Sequence, residues 1–153
     1  MVVSEKQENP TRPGLIVGIG ASAGGLEAFT AFFEHLPPDS GMAFVLVQHL
    51  SPDHESALTE ILGRVAPIPV VVAQHGMRVE PNRVYVIPPD ATLTIKDSCL
   101  LVVKPAPARV HRRPIDSFFA SLAQDQGDNA VSIVLSGVGS DGASGLASVK
   151  ESG

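Results

Sequence analysis

Short apolar runs and amphipathic stretches alternate along this chain. The runs are Leu15-Ile16-Val17, Ala43-Phe44-Val45-Leu46-Val47, Val70-Val71-Val72 and Val131-Ser132-Ile133-Val134-Leu135. Runs of this length with almost no polar alternation fit strands covered on both faces, as in a parallel sheet. Between them, Leu26, Phe29, Phe32, Phe33 and Leu36 recur at three- and four-residue spacings, which predicts a helix ended by Pro37-Pro38. Ala57, Leu58, Ile61, Leu62 and Val65 predict a second, with Ser51-Pro52 in the form of an N-cap and first turn. Ile115, Phe118, Phe119 and Leu122 predict a third, ending before Gly127. From Arg83 to Lys104 the pattern changes to short β-branched runs broken by Pro88-Pro89-Asp90 and Asp97-Ser98, which reads as antiparallel hairpins. The expected fold is α/β: a doubly wound, mostly parallel sheet with an antiparallel hairpin insertion.

Two glycine-rich stretches punctuate this pattern. Gly18-Ile19-Gly20-Ala21-Ser22-Ala23-Gly24-Gly25 reads as strand, tight glycine turn and helix, and Ser136-Gly137-Val138-Gly139-Ser140-Asp141-Gly142 follows the last strand in the same way. Such turns let backbone amides and a helix N-terminus approach an anion or a developing oxyanion. The first stretch half resembles a dinucleotide fingerprint, and Gly20-Ala21-Ser22-Ala23-Gly24 fits the G-x-S-x-G of a nucleophile elbow. A plain strand-to-helix turn is the third reading.

Composition narrows the choice. At 153 residues the chain holds one domain, and its single Cys99 leaves no intramolecular disulfide and no multi-cysteine metal site. Cys99 itself reads as an apolar strand filler. Residues 1–13 are polar and read as a disordered tail. The domain then occupies 14–153, and we expect it to be truncated at its C-terminus, since Lys150-Glu151-Ser152-Gly153 falls where a crossover helix should deliver another strand. With neither a signal-like start nor a run long enough for a bilayer, a cytoplasmic location is expected. The formal charge of −5 argues against nucleic-acid binding. Arg109, Arg112 and Arg113 form the one basic cluster, either a solvated loop or a surface that steers an acidic protein substrate. His35, His54, His75 and His111 lack metal-ligand spacing, so no metal and no cofactor is expected.

In an open parallel sheet the carboxyl ends of the strands share one edge, where such folds bind and react. The pattern sends Ser22, His49 and Asp141 to that edge: a nucleophile, a base to take its proton, and a carboxylate to orient the base. Amides of the two glycine turns could form an oxyanion hole. Taken singly, Ser22 could be an N-cap, His49 a strand-end residue and Asp141 a turn residue. Against the dinucleotide reading, Gln48-His49 stands where an acidic ribose-binding residue is needed. The order serine, histidine, aspartate also differs from that of α/β-hydrolases.

Four segments together resemble the catalytic domain of the bacterial chemotaxis protein-glutamate methylesterase family, CheB. They are Ile19 to Gly25, Val47-Gln48-His49, His111-Arg112-Arg113-Pro114-Ile115-Asp116, and Leu135 to Gly142. The resemblance implies Ser22 as nucleophile, His49 as base and Asp141 as orienting acid, with the amides of Ala23 and Val138 at the oxyanion and Arg112 and Arg113 as substrate-binding candidates. Ala23 and Val138 replace a threonine and a methionine common in the family, and both still supply a backbone amide. The implied substrate is a glutamyl γ-methyl ester on a chemoreceptor helix, with glutamine deamidation as a secondary activity. No phospho-receiver domain is expected ahead of the motifs, whose wording is nearest to forms fused ahead of a receptor methyltransferase. The alternative is a non-catalytic module that docks a receptor or a partner domain.

Overall fold

In the computed structural model, residues 13–22, 26–49, 58–104 and 113–135 are described. The strands are β1 (Ile16–Ser22), β2 (Ala43–His49), β3 (Val70–Val72), β4 (Arg83–Val86), β5 (Thr92–Lys96), β6 (Cys99–Val103) and β7 (Ala130–Val134). The helices are α1 (Leu26–Glu34), α2 (Leu58–Val65) and α3 (Pro114–Gln126). Five strands form one parallel sheet in the order β3-β4-β2-β1-β7, and β5 and β6 pair antiparallel beside it. This is the expected α/β architecture with its hairpin insertion.

The sheet is covered on both faces, which explains its unbroken apolar runs. On one face Val17, Ile19 and Ala21 of β1 and Phe44 and Leu46 of β2 pack with Phe29 and Phe33 of α1 and Leu58 and Leu62 of α2. The Phe33 and Phe44 rings meet edge to face, 5.4 Å apart at 86°. On the other face Ile16 of β1 and Ala43, Val45 and Val47 of β2 pack with Ile115, Phe118, Phe119 and Leu122 of α3. Proline at the first turn of α3 gives up an amide that has no helical partner there. Gly127 ends the helix at φ 52, its N–H donating to the Ala123 carbonyl.

Three expectations need correction. The reading of Arg83 to Lys104 as hairpins holds only for β5 and β6, since β4 inserts parallel between β2 and β3. Asn82 accounts for this: its N–H donates to the Met42 carbonyl at 2.8 Å, and its Oδ1 accepts from the Gly41 N–H at 2.8 Å. That double tie, made at φ 58, sets Arg83 level with Ala43. Second, α1 ends at Glu34, short of the prolines expected to stop it. Third, Gly18 and Gly20 lie within β1 and not in a turn. A Cβ on Gly20 would sit 2.6 Å from Ile115 Cγ2, and one on Gly18 would sit 3.0 Å from Phe119 Cε1. These glycines let α3 approach the sheet closely.

The β5–β6 turn depends on α3. Asp97 and Ser98, at φ 51 and 60, form the two-residue turn whose backbone twist suits a tight hairpin. Their N–H groups donate to the two oxygens of Asp125 at 2.6 and 3.1 Å. The Ile95 N–H donates to Ser121 Oγ at 3.1 Å, so the hairpin is fastened to the helix at both levels.

Tyr85 of β4 is buried, its hydroxyl accepting from the Glu80 N–H at 2.8 Å and donating to the Arg78 carbonyl at 3.3 Å. Burial pushes the phenol above its ordinary 10.0; the Glu80 hydrogen bond opposes this, the Glu80 charge adds to it, and the Arg83 charge opposes it. A raised phenol contributes stability that is fully present below pH 10.0 and is lost as pH rises through the higher folded value. The chain has one tyrosine and no tryptophan, so a near-ultraviolet titration reads this group alone. The expected midpoint lies above 10.0, and a Tyr85→Phe chain should lose less stability across that range.

Candidate active site

The carboxyl edge of the sheet is where the sequence places the candidate reacting groups. β1 ends at Ser22 and β2 at His49, and these two residues are register partners in adjacent parallel strands. Neighbouring strands lie about 4.8 Å apart, so the two backbones are side by side although 26 residues separate them in the chain. On the other flank of β1, the Leu135 N–H donates to the Gly20 carbonyl at 3.0 Å, extending the β7 ladder almost to the level of Ser22. Asp141 and Val138, with Ala23 and Arg112, lie outside the described residues.

The helices flanking this edge occupy opposite faces. α1, which follows β1, packs on one face, and α3, which leads into β7, packs on the other. The edge between β1 and its neighbours therefore opens where the chain changes face, which is where open α/β sheets take their ligands.

The first turn of α3 overhangs the same edge, since Ile115 packs on Gly20, two residues before Ser22. Arg113 stands at its N-cap, exposed, with Nη1 3.5 Å from Asp116 Oδ2. An exposed pair of this length contributes little to stability and leaves the guanidinium within reach of solvent. Among the described residues, no cluster of three or more histidine, cysteine or carboxylate side chains is placed to hold a metal.

One residue at this edge carried no role in the sequence reading. Gln48 is 6% exposed at the carboxyl end of β2, between the buried run Ala43–Val47 and His49. A buried polar side chain at a strand end is the informative exception in an otherwise apolar segment. The available signal was the interruption of that run one residue before the candidate base. Gln48, Ile87, the Pro88-Pro89-Asp90 loop, Ala91 and Pro114 line an open crevice of about 20 Å³.

The family profile described as CheB methylesterase matches residues 17–153. The chain belongs to the CheB methylesterase family. The CheB catalytic domain of Thermotoga maritima superposes on it with a TM-score of 0.80 at 27% identity, covering 93% of this chain and 77% of that one. A protein-glutamate methylesterase/protein-glutamine glutaminase of Yersinia pestis bv. Antiqua is 37% identical over 142 residues, covering 90% of this chain and 40% of that protein. The protein of the same name from Paraburkholderia xenovorans is 36% identical, with 39% of its length covered. The chain thus spans about 40% of the length of these CheB relatives. Among the described residues, no helix of this CheB-family chain is long and apolar enough to cross a membrane.

Proposed function

We propose that this chain is a serine hydrolase that demethylates glutamyl γ-methyl esters on the cytoplasmic helices of bacterial chemoreceptors. The observation that carries the reading is the register of Ser22 beside His49 at the carboxyl edge of the sheet. Family membership and the relatives' printed activity support the substrate class.

In this reading Ser22 Oγ attacks the γ-carbonyl carbon while His49 takes the hydroxyl proton. The proton passes to the departing methoxy oxygen, methanol leaves, and a glutamyl-serine ester remains. Water then attacks that ester, gives its proton to His49, and releases glutamate and the serine hydroxyl. Asp141 orients His49 and stabilises its cation, and the Ala23 and Val138 amides hold the oxyanion. Arg113, at the N-cap of α3, and its chain neighbour Arg112 attract the acidic receptor surface. A glutamine amide in the same place would release ammonia, as the glutaminase half of the relatives' name states for them. The protein works in the cytoplasm, and a fused receptor methyltransferase fits the motif wording.

The test is a glutamyl γ-methyl ester peptide incubated with the protein, with methanol and new carboxylate both quantified. A serine-directed phosphonate is followed in parallel by mass spectrometry. Equal amounts of methanol and carboxylate, and label on Ser22, are the expected results. Receptor binding with neither methanol nor label would make the chain a docking module instead.

A further inference from the structure

Helix α3 runs opposite to β1. Ile115, in its first turn, lies over Gly20, while Phe118, Phe119 and Leu122 lie over Gly18, which is farther from the carboxyl end of the strand. Each step back toward the start of α3 is therefore a step toward the edge that carries Ser22. Arg113, the N-cap, precedes Ile115 by two residues, roughly 3 Å along a helix axis, and Ser22 follows Gly20 by two, roughly 6.6 Å along a strand. The start of α3 thus stands on the flank of the candidate site.

Two opposite charges share this turn and differ in exposure. The Asp116 side chain is 11% exposed and the Arg113 side chain 54%, with Nη1 3.5 Å from Oδ2. The carboxylate is the anchored member of the pair and the guanidinium the presented one. Beneath them the Ser117 N–H donates to the Arg113 carbonyl at 3.1 Å, and Pro114 restricts the backbone between, so the arginine stands on a fixed base. Helix formation does not account for an arginine here. Serine, threonine, aspartate and asparagine are the residues that cap a helix, and Arg113 makes no side-chain cap hydrogen bond. Nor does the ion pair account for it, being too exposed to add much stability. A cation held in one place does, however, lose less rotamer freedom when a partner binds it.

Resting on the esterase reading above, we propose that Asp116 is a positioning residue for the substrate: it holds the Arg113 guanidinium on the flank of the site, where that group receives a carboxylate of the helix presenting the ester. A carboxylate is the fitting partner because the planar donors of a guanidinium match its two oxygens. Asp116 touches no reacting atom in this mechanism and acts through Arg113, so its loss weakens substrate capture and spares the chemical step. Its charge in the first turn also favours the helix N-terminus, a separate contribution that the test must set apart.

The test uses two glutamyl γ-methyl ester peptides, identical except that one has flanking glutamates and the other glutamines. Values of kcat and KM are measured for the native chain, Asp116→Asn, Arg113→Gln and the double variant. On the acidic peptide Asp116→Asn should raise KM about three- to ten-fold with kcat little changed, and Arg113→Gln should raise it at least as much. The double variant should be no worse than Arg113→Gln alone, and Asp116→Glu should recover most of the loss. On the glutamine-flanked peptide Asp116→Asn should barely alter KM. A KM increase of equal size on both peptides would overturn the inference, because Asp116 would then act through the helix and not through Arg113. Multiplicative losses in the double variant would overturn it too, as would an unchanged KM in folded Asp116→Asn. Arg113→Gln, which alters an exposed side chain, gives an independent reading, and equal effects of that variant on both peptides would likewise overturn the inference. All of these results leave the esterase reading standing, whereas absence of Ser22-dependent hydrolysis of either peptide would remove that reading and this inference with it.

Discussion

Ser22→Ala is expected to lower methanol release by roughly 10⁴-fold or more, with KM for the ester peptide little changed, because in the proposed mechanism the hydroxyl forms a bond that no neighbouring group can supply. The replacement removes one oxygen from the last residue of a strand and leaves the β1–β2 ladder intact, so the thermal midpoint should stay close to that of the native chain. His49→Gln should lose activity on a similar scale. The double variant should fall no further than the worse single one, since in that mechanism nucleophile and base act as a unit and removing either removes the function of both. Additive losses would mean that the two residues act independently, and the juxtaposition at the sheet edge would then have another meaning. Methanol release and thermal unfolding, measured on the same four proteins, separate a chemical defect from a folding defect.

Gly20→Ala should destabilise the fold by about 2 kcal/mol, although alanine is ordinarily the better strand residue. The added Cβ would lie 2.6, 3.0 and 3.2 Å from three carbons of Ile115, and real Cβ atoms essentially never approach as closely as the first. Ile115 is fully buried at the start of α3, so relief requires the helix end to move away from β1. Ile115→Ala alone should also cost about 2–5 kcal/mol, through the cavity it leaves. Combined, the two changes should cost clearly less than their sum, because the alanine methyl occupies part of the space that the isoleucine vacated. A urea-unfolding double-mutant cycle measures this directly, and strictly additive costs would refute the contact. Gly18→Ala should be milder, since its nearest atoms are the ends of Phe119, Leu122 and Phe118 side chains at 3.0 to 3.1 Å. Activity should follow stability in this series, because the displaced turn of α3 borders the site.

The sequence made the layered architecture legible because periodicity reports burial, and burial is what the two faces of this sheet share. Val70–Val72 and Ala43–Val47 were readable as covered strands for that reason. β4 was misread because its neighbourhood is rich in turn residues, and its placement depends on Asn82 bonding to a segment 40 residues away. Nothing local announces such a tie. The glycines of β1 show the same limit: a small residue required by a turn and one required by a helix packed overhead look alike until the helix is in place. Ser22 and His49 could be sent to one edge by counting strands, but their pairing one to one depended on the register, which periodicity does not fix. Gln48 went without a role because a polar residue at a strand end is ordinary until its burial is known.

The parallel pairing of β1 with β2 on one side and β7 on the other has a kinetic consequence. Ile16 pairs with Ala43 and also with Ala130, so the strand carrying Ser22 is flanked by segments from most of the chain's length. Such non-local contacts raise contact order, and the loop-closure entropy is lost before the contacts that compensate it can form. Partly collapsed chains can hold α1 or the β5–β6 hairpin, both of which are local in sequence, without bringing Ser22 beside His49. Recovery of activity during refolding therefore reports the long-range pairing of β1 with its neighbours, later than helical content returns.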